Sequence, residues 1–134
     1  MPLSATEPAP ADIRLAVTAE TLYLLNLLLL PGLAFVLLWW LYRRHCATAG
    51  ALAANHLQQA LVGSLWAGGL LLVVTLAASL LGGLHNPGTW VFLILYFTTC
   101  HASLVLLGVL GLVKAMTGQP YRYPLIGPAI VGQN

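Results

Sequence analysis

Three long apolar runs, separated by short polar breaks, dominate the chain. The first, TLYLLNLLLLPGLAFVLLWWLY, covers Thr21 to Tyr42. The second, LQQALVGSLWAGGLLLVVTLAASLL, covers Leu57 to Leu81, and the third, TWVFLILYFTTCHASLVLLGVLGLVKA, covers Thr89 to Ala115. Each holds roughly the ~20 residues a helix needs to cross ~30 Å of hydrocarbon. No charge interrupts the middle of any run. The pattern predicts an all-α integral membrane protein with three transmembrane helices, forming one domain over residues 21–116. It leaves an N-terminal segment, residues 1–20, and a short polar tail, residues 117–134.

The first run contains Pro31 and Gly32. Proline removes a backbone N–H and crowds the carbonyl of Leu27, so a kink within a continuing helix is expected. Asn26, one turn earlier, is expected to hydrogen-bond to a neighbouring helix. The run is too long for a signal-peptide core, follows acidic residues and precedes no small-x-small cleavage site, so it reads as a retained helix. Ahead of it, PADIRLAVTAE is expected as a turn or short interfacial helix, with disorder at its start.

Composition points to lipid as the solvent. Hydrophobic residues make up 60% of the 134 residues and charged ones 6%, against about 25% charged in soluble domains. The net charge of +2 is too small to suggest nucleic acid. Cys46 and Cys100 lie far apart without a CxxC spacing, which fits two inert thiols better than a disulfide framework or a metal finger.

The placement of charge says more than its sum. Arg43 and Arg44 follow the first run, Lys114 and Arg122 end and follow the third, and the link GGLHNPG between the second and third has no Lys or Arg. The positive-inside rule then places the first link and the tail in the cytoplasm. Three crossings put the N-terminus on the periplasmic side of a bacterial inner membrane. Tyr23, Trp39, Trp40, Tyr42, Trp90 and Tyr96 fall mostly near helix ends, as an interfacial belt.

Helical spacing gathers the polar and small residues into stripes. Asn55, Gln59, Gly63 and Ala67 recur every fourth residue, with His56, Ala60, Ser64 and Gly68 beside them. On the third run, Thr98, His101, Val105, Gly108 and Gly111 lie near one face. Small residues let membrane helices approach closely and amides bond between them, so these faces are expected to pack helices or contact a partner. The sharper alternative is a polar path lined by Asn55, Gln59, Thr98 and His101.

Paired histidines on neighbouring helices would suggest a b-type haem. His101 falls ~18 Å from the outer end of its helix and His56 ~37 Å from the outer end of its own, and that mismatch in depth excludes one haem between them. His45, His56 and Cys46 make a poor metal site without a carboxylate or a thiolate pair. All three acids lie in the first twenty residues, so no intramembrane carboxylate is expected to relay protons. No nucleophile–base–acid arrangement or phosphate loop is present. No enzyme activity, cofactor or metal is expected.

The tail, TGQPYRYPLIGPAI, reads as a turn at Gly118 to Pro120 and then an extended stretch held by Pro124 and Pro128. Tyr121, Arg122, Tyr123 and Pro124 are expected to lie along the cytoplasmic interface, anchor in headgroups and help dock a partner. Pro31 in the first run, Arg43 and Arg44 in the turn, AANHLQQAL with Asn55, His56 and Gln58 or Gln59, and the closing YRYPL together resemble a family of small bacterial membrane proteins. That family is related to the twenty-kilodalton Tic component of the chloroplast inner-envelope translocon. The resemblance spans about Leu22 to Ile126. It implies a compact helical membrane domain and no established activity.

Size decides between the remaining classes. Three helices bury few faces among themselves, and the small-residue stripes offer more close-packing surface than one such core uses. The chain therefore reads as a non-enzymatic accessory or assembly subunit of a larger inner-membrane complex, with lipid and other integral subunits, or itself, as partners. A small oligomeric channel or transporter is the next reading. An electron-transfer subunit holding haem or quinone comes after it.

Overall fold

The computed structural model describes residues 7–130. The expected disorder at the chain start falls on residues 1–6, and the end of the tail on residues 131–134; both lie outside the described residues. The described part is all-helical, with α1 (Pro10–Leu28), α2 (Leu33–His45), α3 (Ala51–Gly82) and α4 (Pro87–Met116). Two of the four, α3 and α4, are long and apolar enough to cross a membrane. The expected third crossing is instead split between α1 and α2.

The split has a local cause. Pro31 supplies no N–H, and Gly32 has φ +85°, a left-handed value that side chains resist. The chain reverses there instead of kinking. Asn26 serves this turn and not a neighbouring helix: its Oδ1 accepts the Gly32 N–H at 3.0 Å. α2 then runs back beside α1, and Leu38 joins Ala19 and Tyr23 in the core.

The stretch before Thr21 is also more than an interfacial turn. Residues 10–20 form the first half of α1, with Pro10 at its N-terminus, where a missing N–H costs nothing. Their inward stripe, Ala16, Ala19, Glu20 and Tyr23, is buried. Asp12 ties the start of α1 to the start of α3 by accepting from Gly50 N at 2.8 Å and Ala53 N at 3.2 Å. A carboxylate suits the free N–H groups of a helix N-terminus.

These contacts give the directions. α1 and α3 run parallel: Asp12 meets Gly50, and Tyr23 meets Gly63. α4 runs antiparallel to α1, with Gly111 against Glu20 and Gly108 against Tyr23. Pro8 and Gly118 are neighbours, since a Cβ on Gly118 would lie 3.1 Å from Pro8 Cγ. The two described chain ends therefore share one end of the bundle, which overturns the expectation of opposite sides. The hairpin α1–α2 returns the chain to the end of the bundle where α1 starts.

The core occupies only the half of the bundle near the chain ends. From Leu65 to Gly88, and from Trp90 to Ser103, no residue is buried. There α3 and α4 stand as a bare apolar pair, joined by a turn in which Asn86 Oδ1 caps Gly88 N at 2.9 Å.

Candidate functional site: a buried cluster beneath the tail

The first three turns of α3 present Asn55, His56 and Gln59 inward, all buried. Helical spacing puts the three on one side, where the returning tail lies across them. Asn55 Oδ1 accepts from Tyr121 N at 3.0 Å. Gln59 uses both ends of its amide: Oε1 accepts from Tyr123 N at 3.1 Å and Nε2 donates to Pro128 O at 2.8 Å. His56 Nε2 lies 3.0 Å from Gln119 O. The bends of the tail are local: Gly127 N donates to Tyr123 O at 2.8 Å, and Arg122 Nε to Gly127 O at 3.1 Å.

Glu20 of α1 completes the cluster. Its Oε1 lies 2.7 Å from His56 Nδ1, and its Oε2 accepts from the Tyr123 hydroxyl. All three side chains are fully buried. Burial pushes the Glu20 carboxyl above its ordinary range; the His56 and Tyr123 hydrogen bonds and the His56 charge oppose this only in part. Burial also pushes the Tyr123 hydroxyl up, and the Glu20 charge and hydrogen bond add to it. Charged forms lose hydration in such a site, so each acid holds its proton more tightly.

Aromatic packing closes the cluster. The Tyr23 and Tyr123 rings meet edge to face at 5.3 Å between centroids, and Tyr23 OH donates to Leu104 O at 3.0 Å. Three glycines make room for them. A Cβ on Gly63 would lie 2.8 Å from Tyr123 Cε2, one on Gly108 2.5 Å from Tyr23 Cε1, and one on Gly111 2.6 Å from Glu20 Oε2.

Several sequence expectations change here. Tyr123 is in the core rather than free to sit among lipid headgroups, and the tail docks on its own bundle. His56 is fully buried. Glu20 stands inside the fold, although it precedes the first apolar run. The stripe of small residues divides: Gly63 and Ser64 are buried, whereas a Cβ on Gly68 would meet nothing within 4 Å. The four residues of the polar path do not converge. Asn55 and Gln59 are bonded to the tail, Thr98 is exposed, and His101 is half-buried and stacked on Phe97 at 5.0 Å. Of the other tail residues, Tyr121 and Arg122 are partly to fully exposed and Pro124 is exposed.

Sequence reasoning passed over Asp12 and Glu20, and it read Tyr23, which is fully buried in the core, as part of an interfacial belt. Their signal was the 3–4 spacing of Asp12, Ala16, Ala19 or Glu20, and Tyr23, which marks one helix face well before the apolar run begins.

Compared with known families, residues 12–130 match one pattern, so the match takes in the bundle, the cluster and the tail. The chain belongs to the magnetosome magnetite crystal formation protein family. No curated protein and no solved structure matches it. The family match replaces the resemblance to the translocon-related group. The residues that carried that resemblance are explained by the fold itself: Pro31 makes the hairpin turn, and Asn55, Gln59 and YRYPL lock the tail.

Proposed function

We propose that the chain is a non-enzymatic integral protein of the magnetosome membrane, an accessory subunit in the formation of magnetite crystals. The family match over residues 12–130 carries this reading. The apolar surfaces of α3 and α4 support insertion in lipid. The buried side chains of Glu20, Asn55, His56 and Gln59 support a structural role, because the tail, α1 and α3 take up their hydrogen bonds.

The five Lys and Arg residues are Arg14, Arg43, Arg44, Lys114 and Arg122, and the fold gathers all of them towards the end where the chain termini meet. The positive-inside rule then favours a cytoplasmic position for that end. On the opposite side, the described chain offers little beyond the short turn at Gly83–Asn86. Its effect on a crystal is therefore exerted through other membrane proteins or a second copy. The bare α3–α4 pair is the surface available for them.

Deleting the gene in a magnetosome-forming host, restoring it with a tagged copy and imaging the crystals by electron microscopy tests the reading. The expected result is altered crystal size, shape or number, reversed by the tagged copy, which fractionates with magnetosome membranes. Unchanged crystals and a tagged chain absent from that fraction would overturn it.

A further inference from the structure

We propose that α1–α2 is a re-entrant hairpin, entering one leaflet from the end that carries the chain termini, turning near the bilayer midplane and leaving by the same side. The inference rests on the reading that α3 and α4 cross the membrane, and deepens it.

Depth is the first argument. Tyr23 lies level with Gly63 of α3 and Gly108 of α4. The last five residues of α1 rise ~7 Å further, so the turn stands level with about Gly68 and Ser103. The apolar runs Leu57–Leu81 and Thr89–Ala115 centre on about Gly69 and Ala102. The turn thus lies within about one helical turn, ~5 Å, of the middle of both spans.

The chemistry of the turn is the second. Leu28, Leu29, Leu30 and Leu33 are 55%, 70%, 47% and 58% exposed, a surface suited to acyl chains and costly in water. Backbone in hydrocarbon must have its polar groups satisfied internally, and the donors from Leu29 to Gly32 meet that demand. Leu29 N and Leu30 N both donate to Leu25 O, at 3.0 and 2.8 Å. Pro31 has no N–H, and Gly32 N is taken by Asn26 Oδ1.

The length of α2 is the third. From Leu33 to Arg43 it rises ~15 Å, half of the ~30 Å hydrocarbon core. Its exposed face, Val36, Leu37, Trp39 and Trp40, ends in Arg43, Arg44 and His45. Arg44 stands 5.0 Å over the Trp40 ring. Tryptophan and arginine at that position match the headgroup layer, with acyl chains against the leucines and lipid phosphate at the arginines.

The test uses the full chain in phospholipid vesicles, with Cys46→Ser and Cys100→Ser as background and single cysteines placed by Thr48→Cys, Asn86→Cys or Leu29→Cys. Membrane-impermeant thiol reagents should label positions 48 and 86 from opposite sides and leave 29 unlabelled from either. A fluorophore at position 29 should be quenched most by lipids spin-labelled near the chain ends. Labelling of 29 from the side of 86 would mean that the first apolar run spans. Labelling from the side of 48, with headgroup quenching, would mean that the hairpin lies on the surface. Either result overturns the hairpin while α3 still crosses. Labelling of 48 and 86 from one side would overturn the two-span reading as well.

Discussion

His56 Nδ1 lies 2.7 Å from Glu20 Oε1, with both side chains fully buried. This contact fixes a proton count. On its other side, His56 Nε2 faces Gln119 O, a carbonyl that can only accept, so Nε2 carries a hydrogen. One further proton must then sit between Nδ1 and Oε1, whichever atom holds it. The pair is neutral as a unit, as ion pair or as neutral acid and imidazole. If that proton leaves, two lone pairs face each other at hydrogen-bond distance, or Nε2 loses its hydrogen and confronts the carbonyl.

Breaking the pair from one side should cost about 3–5 kcal/mol, the usual penalty for leaving a buried charge or donor alone. Glu20→Leu strands His56 Nδ1 and the Tyr123 hydroxyl together. The double change Glu20→Leu with His56→Leu should be less destabilising than the two single losses added, because each removes the other's stranded partner. Unfolding in mild detergent, followed by near-UV circular dichroism, measures this. Additive losses would show that the contact carries no coupling.

Stability should fall as pH rises. The Glu20 carboxyl is held above its ordinary value of 4.5, so the folded chain binds that proton more tightly than the unfolded one. Its contribution is fully present below 4.5 and is lost as pH climbs through the raised value. Tyr123, raised above its ordinary 10.0, acts in the same direction: the unfolded phenol ionises from 10.0 upward while the folded one does not. Thermal midpoints taken from mildly acidic to alkaline buffer should decline, and Glu20→Gln should flatten the acidic part of the curve. A midpoint that rises through neutrality would refute the sign.

The glycines should separate by position. Gly108→Ala puts a methyl 2.5 Å from Tyr23 Cε1 and should cost about 1–3 kcal/mol by overpacking. Gly68→Ala meets nothing within 4 Å and should leave unfolding unchanged. If Gly68→Leu nevertheless lowers the recovery of co-purifying membrane proteins or of a second copy, that face is intermolecular. Equal losses at positions 108 and 68 would contradict the packing.

Truncation after Gly118 should destabilise the bundle rather than free a loose anchor. It removes Tyr123 from the core and leaves Asn55, His56, Gln59 and Glu20 without their tail partners. Buried groups left unsatisfied cost about 1–3 kcal/mol each, so the truncated chain should accumulate poorly or unfold early in a detergent melt. Wild-type accumulation and wild-type stability would show that the tail is dispensable for the fold.

Hydropathy alone determined that this chain is helical and built for lipid, because apolar runs of span length with so few charges admit no other solvent. It also located α3 and α4, where every residue over several turns obeys one rule, and the basic bias that distinguishes the two ends. The amides of Asn55 and Gln59 stood out as inward-facing for the same reason, since periodicity is a local property. Tertiary structure decided the rest. Whether Pro31 and Gly32 bend a helix or reverse it depends on what receives α2, and the groove beside Ala19 and Tyr23 exists only once α1 has packed. Glu20 looks like a solvated acid because sequence shows nothing of His56 and Tyr123, its partners across the fold. Burial of a charge is decided by distant groups that satisfy its hydrogen bonds, and no local pattern reports them.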